Sequence, residues 1–112
     1  MSDQYKLDST ELLLLMAVMR LGSGAYGVPL REEVMERSGR EISRAATYAA
    51  LDRLEERGFV TSHLGDPTKE RGGRAKRFYE IQSAGMRAVN ETLGGVGRMA
   101  EGLGLEWVWG GV

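Results

Sequence analysis

The apolar positions of this chain change period along its length, and the changes mark out its elements. From Leu12 to Met19 the residues are apolar without interruption, and Arg20 follows. Asp8 and Glu11 precede the run at the spacing of an N-cap residue and an N3 acid, which satisfy free amide donors at a helix start. A helix that is apolar nearly all round is a buried one. Gly22, Ser23, Gly24 and Gly27 break it. A short amphipathic helix is predicted over Pro29 to Ser38, with Pro29 in the first turn, Leu30, Val34 and Met35 on one face, and Gly39 as its stop. Ser43 suits the N-cap of a third helix, from Arg44 to about Arg57, ended by Gly58. Thr47, Leu51 and Leu54, with Ala50 beside them, form its buried stripe, which leaves Arg44, Tyr48, Asp52, Arg53 and Glu56 on or beside the outward face.

The pattern then changes. Phe59 to Leu64 and Ala75 to Gln82 are rich in aromatic and β-branched residues and read as strands. The loop between them, Gly65 to Arg74, has turn residues at both ends, so the two strands make a β-hairpin with a long tip. Alternation puts Arg77, Tyr79 and Ile81 on one face of the second strand and Phe78 and Glu80 on the other. Ser83 can cap a fourth helix, in which Met86, Val89, Leu93, Val96, Ala100 and Leu103 recur at intervals of three and four. Gly94, Gly95, Gly97, Gly102 and Gly104 each weaken that helix by about 1 kcal/mol relative to alanine, so it is predicted to fray or end before Leu105. The fold class is mainly α with a small β-hairpin, an α+β arrangement. Residues 1–82 read as a winged helix-turn-helix and residues 83–112 as a C-terminal helix and tail for dimerisation.

Composition narrows the chemistry. A chain of 112 residues suits one domain with a sufficient core. It has no cysteine and one histidine, His63, which excludes a disulfide scaffold and a thiol nucleophile and leaves almost nothing to ligate a metal. There is no nucleophile–base pair and no phosphate loop, so an enzyme is not expected, and no cofactor. The longest apolar run is far short of the roughly 20 residues of a bilayer span, and no secretory signal precedes it, which points to a cytoplasmic protein without membrane contact. The net charge is only −1, yet the segment from Gly65 to Tyr79 carries a local charge of +3.

That local charge gives the order of elements a meaning. A third helix of this kind fits the major groove of DNA, and a hairpin tip beside it reaches the phosphate backbone or the minor groove. Ser43, Arg44 and Tyr48 stand near the start of the helix, where base edges are read, and Arg53 lies further along it. Lys69, Arg71, Arg74, Lys76 and Arg77 supply the cations that phosphates attract. Tyr48 reads equally as a DNA contact or as half-buried packing, and Arg53 and Arg57 read also as partners of Asp52 or Glu56 within the helix. His63 reads as a structural residue of the strand. Asp52, Glu55 and Glu56 favour a rival reading, a winged-helix module that binds protein. Trp107 and Trp109 read as an anchor for the tail on its own domain or a partner subunit, or as a platform for a flat ligand.

The segments Thr47 to Val60, Gly72 to Tyr79 and Ser83 to Gly85, together with Ala25 to Val28, resemble the PadR family of bacterial transcriptional repressors over about residues 8 to 92. The resemblance implies a ligand-responsive repressor, a homodimer assembled through the C-terminal helix and bound to an inverted-repeat operator on double-stranded DNA. It implies that Tyr48 is the recognition-helix tyrosine, that Arg74, Lys76 and Arg77 are the basic wing, and that release follows binding of a small molecule such as a small aromatic effector. The chain departs from the family pattern at Ala46, where many relatives have threonine, and in the glycine-rich segment after Thr92.

Overall fold

The computed structural model describes residues 4–65 and 75–105. Their elements are α1 (Ser9–Leu21), a single 3₁₀ turn (Gly22–Gly24), α2 (Gly27–Ser38), α3 (Arg44–Glu56), β1 (Val60–Leu64), β2 (Arg77–Ile81) and α4 (Ser83–Ala100). β1 and β2 pair antiparallel, with Val60 opposite Ile81 and Leu64 opposite Arg77. A single bridge between Tyr26 and Phe78 adds the segment before α2 to the free edge of β2, where the Tyr79 amide donates to the Ala25 carbonyl at 2.8 Å.

Local chemistry accounts for the element ends. α1 opens with the full reciprocal cap: the Glu11 amide donates to Asp8 Oδ1 at 2.8 Å and the Asp8 amide to Glu11 Oε1 at 2.9 Å. α2 begins at Gly27, two residues before the start that the sequence pattern predicts. The first turn of a helix has no intrahelical partners for its amides, so Pro29 is as well tolerated at its third residue as at its first. α3 is capped by the Ser43 hydroxyl, which accepts from the Ala46 amide at 3.0 Å. It closes in a Schellman turn: Gly58, at φ 79°, donates to Glu55, and Phe59 donates to Leu54 at 2.9 Å. This turn removes Phe59 from β1, where the sequence pattern places it. Ser83 is the first residue of α4 rather than its cap. Gln82 takes the cap position, and its side-chain amide reaches Thr61 Oγ1 at 3.1 Å.

The core is a single cluster around α1. Leu14 and Leu15 are inaccessible to solvent, as are Leu30 of α2 and Ala50, Leu51 and Leu54 of α3; Val60, Tyr79, Ala88 and Val89 bring the sheet and α4 into the same cluster. α4 joins it through Gly85. A Cβ there would lie 2.3 Å from the Phe59 carbonyl oxygen, a backbone atom that cannot move aside cheaply. The Gly85→Ala chain is therefore expected to lose about 1–3 kcal/mol of stability, as overpacked sites do, read as a lowered urea midpoint with an unchanged slope.

Candidate nucleic-acid interface

α3 turns its buried stripe, Thr47, Ala50, Leu51 and Leu54, toward α1 and leaves Ser43, Arg44 and Tyr48 exposed at its N-terminal end. Ser43 is committed to the helix start, because its side chain and its carbonyl both accept hydrogen bonds from the first turn. Arg44 makes no ion pair among the described residues. It shares a shallow cleft with Gly27, Val28, Arg31, Glu32 and Tyr48, so the first turns of α2 and α3 open side by side. Arg31 holds the two helices in that relation by donating to the Ile42 carbonyl in the connection between them.

Tyr48 is packed and accessible at once. Its hydroxyl end lies on the backbone of Gly27, where a Cβ would come within 2.1 Å of the oxygen, and yet the residue is 40% exposed. The packing fixes the ring at the surface instead of hiding it. That placement requires a glycine after Tyr26.

The loop end of the hairpin is built on aromatic rings. Phe78 meets Tyr26 edge to face at 5.3 Å and stacks against His63 at 5.8 Å, while Lys76 Nζ sits 5.0 Å from the Tyr26 ring centre. Lys76 is thus held at the foot of the hairpin loop by a cation–π contact. Arg77 donates to Ser62 Oγ at 2.9 Å, and Ser62 donates to Glu55 Oε2 at 2.7 Å, so a hydrogen-bonded chain ties the hairpin to α3. Lys69, Arg71 and Arg74 lie outside the described residues.

Arg53 is placed apart from this group. Its Nε donates to Glu11 Oε2 at 3.2 Å and its Nη2 lies 3.7 Å from Asp8 Oδ2, so it faces α1 rather than Asp52 or Glu56. Arg57 likewise reaches Glu11 Oε1 at 3.5 Å and donates to the carbonyls of Gln4 and Lys6. No local pattern announces the pairings with Glu11, which join residues more than forty positions apart. The cluster of Tyr26, Phe78 and His63 is equally hidden in the sequence, where the placing of Phe78 on the face opposite Tyr79 is its one visible sign.

The apolar stripe of α4 divides in two. Val89 is buried and Leu93 packs on the core, so both serve their own domain. Met86, Val96 and Leu103 are exposed, with Met99 at 79% between the last two, and Ala100 is half-buried. Trp107 and Trp109 lie outside the described residues. None of the described helices is long and apolar enough to cross a membrane.

The sequence matches the transcriptional regulator PadR-like family over residues 14–91. No curated protein matches it. Among solved structures it is similar to a transcriptional regulator from Clostridium thermocellum, at 19% identity and a TM-score of 0.68 over 81% of this chain and 85% of the other. It is similar also to a PadR family transcription regulator from Clostridium difficile, at 17% identity and a TM-score of 0.68 over 83% and 95% of the two chains. A PadR family transcriptional regulator from Eggerthella lenta matches at 23% identity and a TM-score of 0.64 over 82% and 78%. At these identities the likeness carries the fold: a winged helix with a fourth, C-terminal helix.

Tyr79 is buried in the core, and its titration bears on stability without any ligand. Burial first, and the Asp52 carboxylate second, raise the pKa of its hydroxyl above the ordinary tyrosine value. The unfolded chain loses that proton near pH 10 while the folded chain retains it, so this contribution is complete below about pH 10 and is lost as pH rises through the folded value. Above about pH 10, urea midpoints are expected to fall more steeply with pH in the wild type than in Tyr79→Phe.

Proposed function

Because the chain belongs to the PadR-like family of transcriptional regulators, which are not enzymes, we propose that it acts as a homodimeric, ligand-responsive repressor on an inverted-repeat operator. The observation that carries the DNA-binding part is the exposed N-terminal end of α3, with Arg44 free of ion pairs among the described residues and Tyr48 propped on Gly27, flanked by the cationic foot of the hairpin loop. In this reading α3 enters the major groove, Arg44 forks onto a guanine edge, and Lys76 and Arg77, with Lys69, Arg71 and Arg74 of the hairpin loop, meet phosphates. Two-fold symmetry of a dimer turns one half-site into an inverted repeat.

Support for the dimer comes from α4. Val96 and Met99, with Leu103 just past the helix end, leave an apolar face exposed on a helix already weakened by Gly94, Gly95 and Gly97. Such a face gains stability only when covered. A small aromatic effector, with Trp107 and Trp109 as its platform, is proposed on residue chemistry alone. Asp52, Glu55 and Glu56 on the far half of α3 favour the second reading, a protein-binding module. Glu55, however, is already engaged by Ser62.

Two experiments test these parts. In selection from a random duplex pool, an inverted repeat is expected to enrich, and affinity for it to fall steeply with salt. Replacing Arg74, Lys76 and Arg77 with alanine is expected to flatten the plot of log affinity against log salt by up to about 0.9 for each phosphate interaction removed. Failure to shift any duplex at low salt would favour the protein-binding module. For the dimer, the double variant Val96→Asp, Met99→Asp is expected to sediment as a monomer at micromolar concentration while the wild type sediments as a dimer. Equal sedimentation of the two would remove α4 from the interface.

A further inference from the structure

We propose that Glu11 of α1 is a positioning residue for operator recognition, which sets the pose of α3 through Arg53 and Arg57. This role rests on the DNA-binding reading above. Glu11 is only 5% exposed, and both of its oxygens are used: Oε1 by the Asp8 amide and Arg57, and Oε2 by Arg53. Asp8, 3.7 Å from the Arg53 guanidinium, completes the group. A nearly buried carboxylate, with two arginines from the end of one helix converging on it, acts through direction as well as charge, because charge-assisted hydrogen bonds fix geometry that apolar packing leaves loose.

The clamp holds the end of α3 opposite the one that Arg31 and the Tyr48–Gly27 contact tie to α2. It grips the C-terminal end of α3, and the reading end at Arg44 is thirteen residues from Arg57, about 20 Å along a helix. A tilt of about 5° at the clamp displaces that end by about 2 Å, enough to spoil a bidentate contact with a base. The same end of α3 is tied toward α4. Arg57 lies 4.6 Å over the Phe59 ring, Phe59 stacks on Tyr5 at 6.3 Å, and Arg87 of α4 lies 4.4 Å over Tyr5. Glu11 therefore orients the reading helix against both α1 and the helix proposed to join two copies, which fixes the separation of the two reading helices in a dimer. Arg53, on this account, contributes to specificity without touching DNA.

The test uses the full chain as Glu11→Gln, Arg53→Met and the double variant, each verified as folded by circular dichroism at the assay temperature. Gln keeps an acceptor for the Asp8 amide and removes the charge. The probes are the inverted repeat enriched by the wild type, the same duplex with its half-site spacing altered by one base pair, and a mixed-sequence duplex of equal length. Each single variant is expected to bind the inverted repeat about tenfold more weakly, and the double variant no more weakly than the worse single, as members of one network behave. Mixed-sequence affinity and the salt slope are expected to stay within error of the wild type, and the penalty for altered spacing to shrink. Equal weakening on the specific and mixed duplexes would reduce Glu11 to a structural role and overturn the proposal. So would a flattened salt slope in Arg53→Met with Glu11→Gln unchanged, which would make Arg53 a phosphate contact. A wild type that binds none of the three duplexes would instead remove the DNA-binding reading, and this proposal with it.

Discussion

α1 can be buried on most of its circumference because it is apolar without interruption from Leu12 to Met19, and every other element depends on that burial. Each fully buried leucine contributes about 1.5–3 kcal/mol relative to an exposed one, and Leu14 and Leu15 have no accessible surface at all. α2, α3, the sheet and the first half of α4 all contribute apolar residues to the cluster around this helix and would have no core without it. The one buried charge on α1, Glu11, is satisfied by a cap on one side and by arginines on the other, so the helix brings almost no unpaired polarity into the interior.

Much of this is legible in the sequence because it is local. The Asp8–Glu11 cap, the Ser43 cap, the glycine stop after Arg57 and the stripe of α3 each lie within a few residues, and short-range rules describe them. The end of α4 is legible for the same reason: glycine lowers helix propensity wherever it stands, and the helix stops at Ala100. Contacts made across the fold are not. Whether Arg53 pairs along its own helix or across to Glu11 is decided by the packing of α3 on α1. Phe59 is easily misplaced because a Schellman turn and a strand both favour a buried aromatic there. That Tyr48 packs and yet stays exposed depends on Gly27 beneath it, twenty-one positions earlier.

Charge is the least transferable of the sequence readings. Arg20 and Arg37 share Glu33, Arg40 holds the hydroxyls of Ser9 and Thr10, Arg31 holds a carbonyl, and Arg53 and Arg57 hold Glu11. All but Arg37, which pairs within α2, fasten one part of the fold to another. A net charge near zero thus says little about the surface proposed to read DNA, where Arg44 forms no ion pair among the described residues and Glu55 of the same helix is engaged by Ser62. What counts for a phosphate backbone is which cations are left without acidic partners.

The peptide of Phe59 is where three elements meet. Its amide closes α3, its carbonyl accepts from the Gln82 amide at 2.9 Å, and that same oxygen leaves no room for a side chain at position 85. The closing turn of α3, the start of the hairpin and the first turn of α4 are consequently mechanically coupled at this one residue. A reading helix transplanted from a relative brings its own closing angle, and it fits only if the hairpin and the first turn of the following helix travel with it. Any change in the angle at which α3 closes is therefore carried directly into the start of the hairpin and into the first turn of α4.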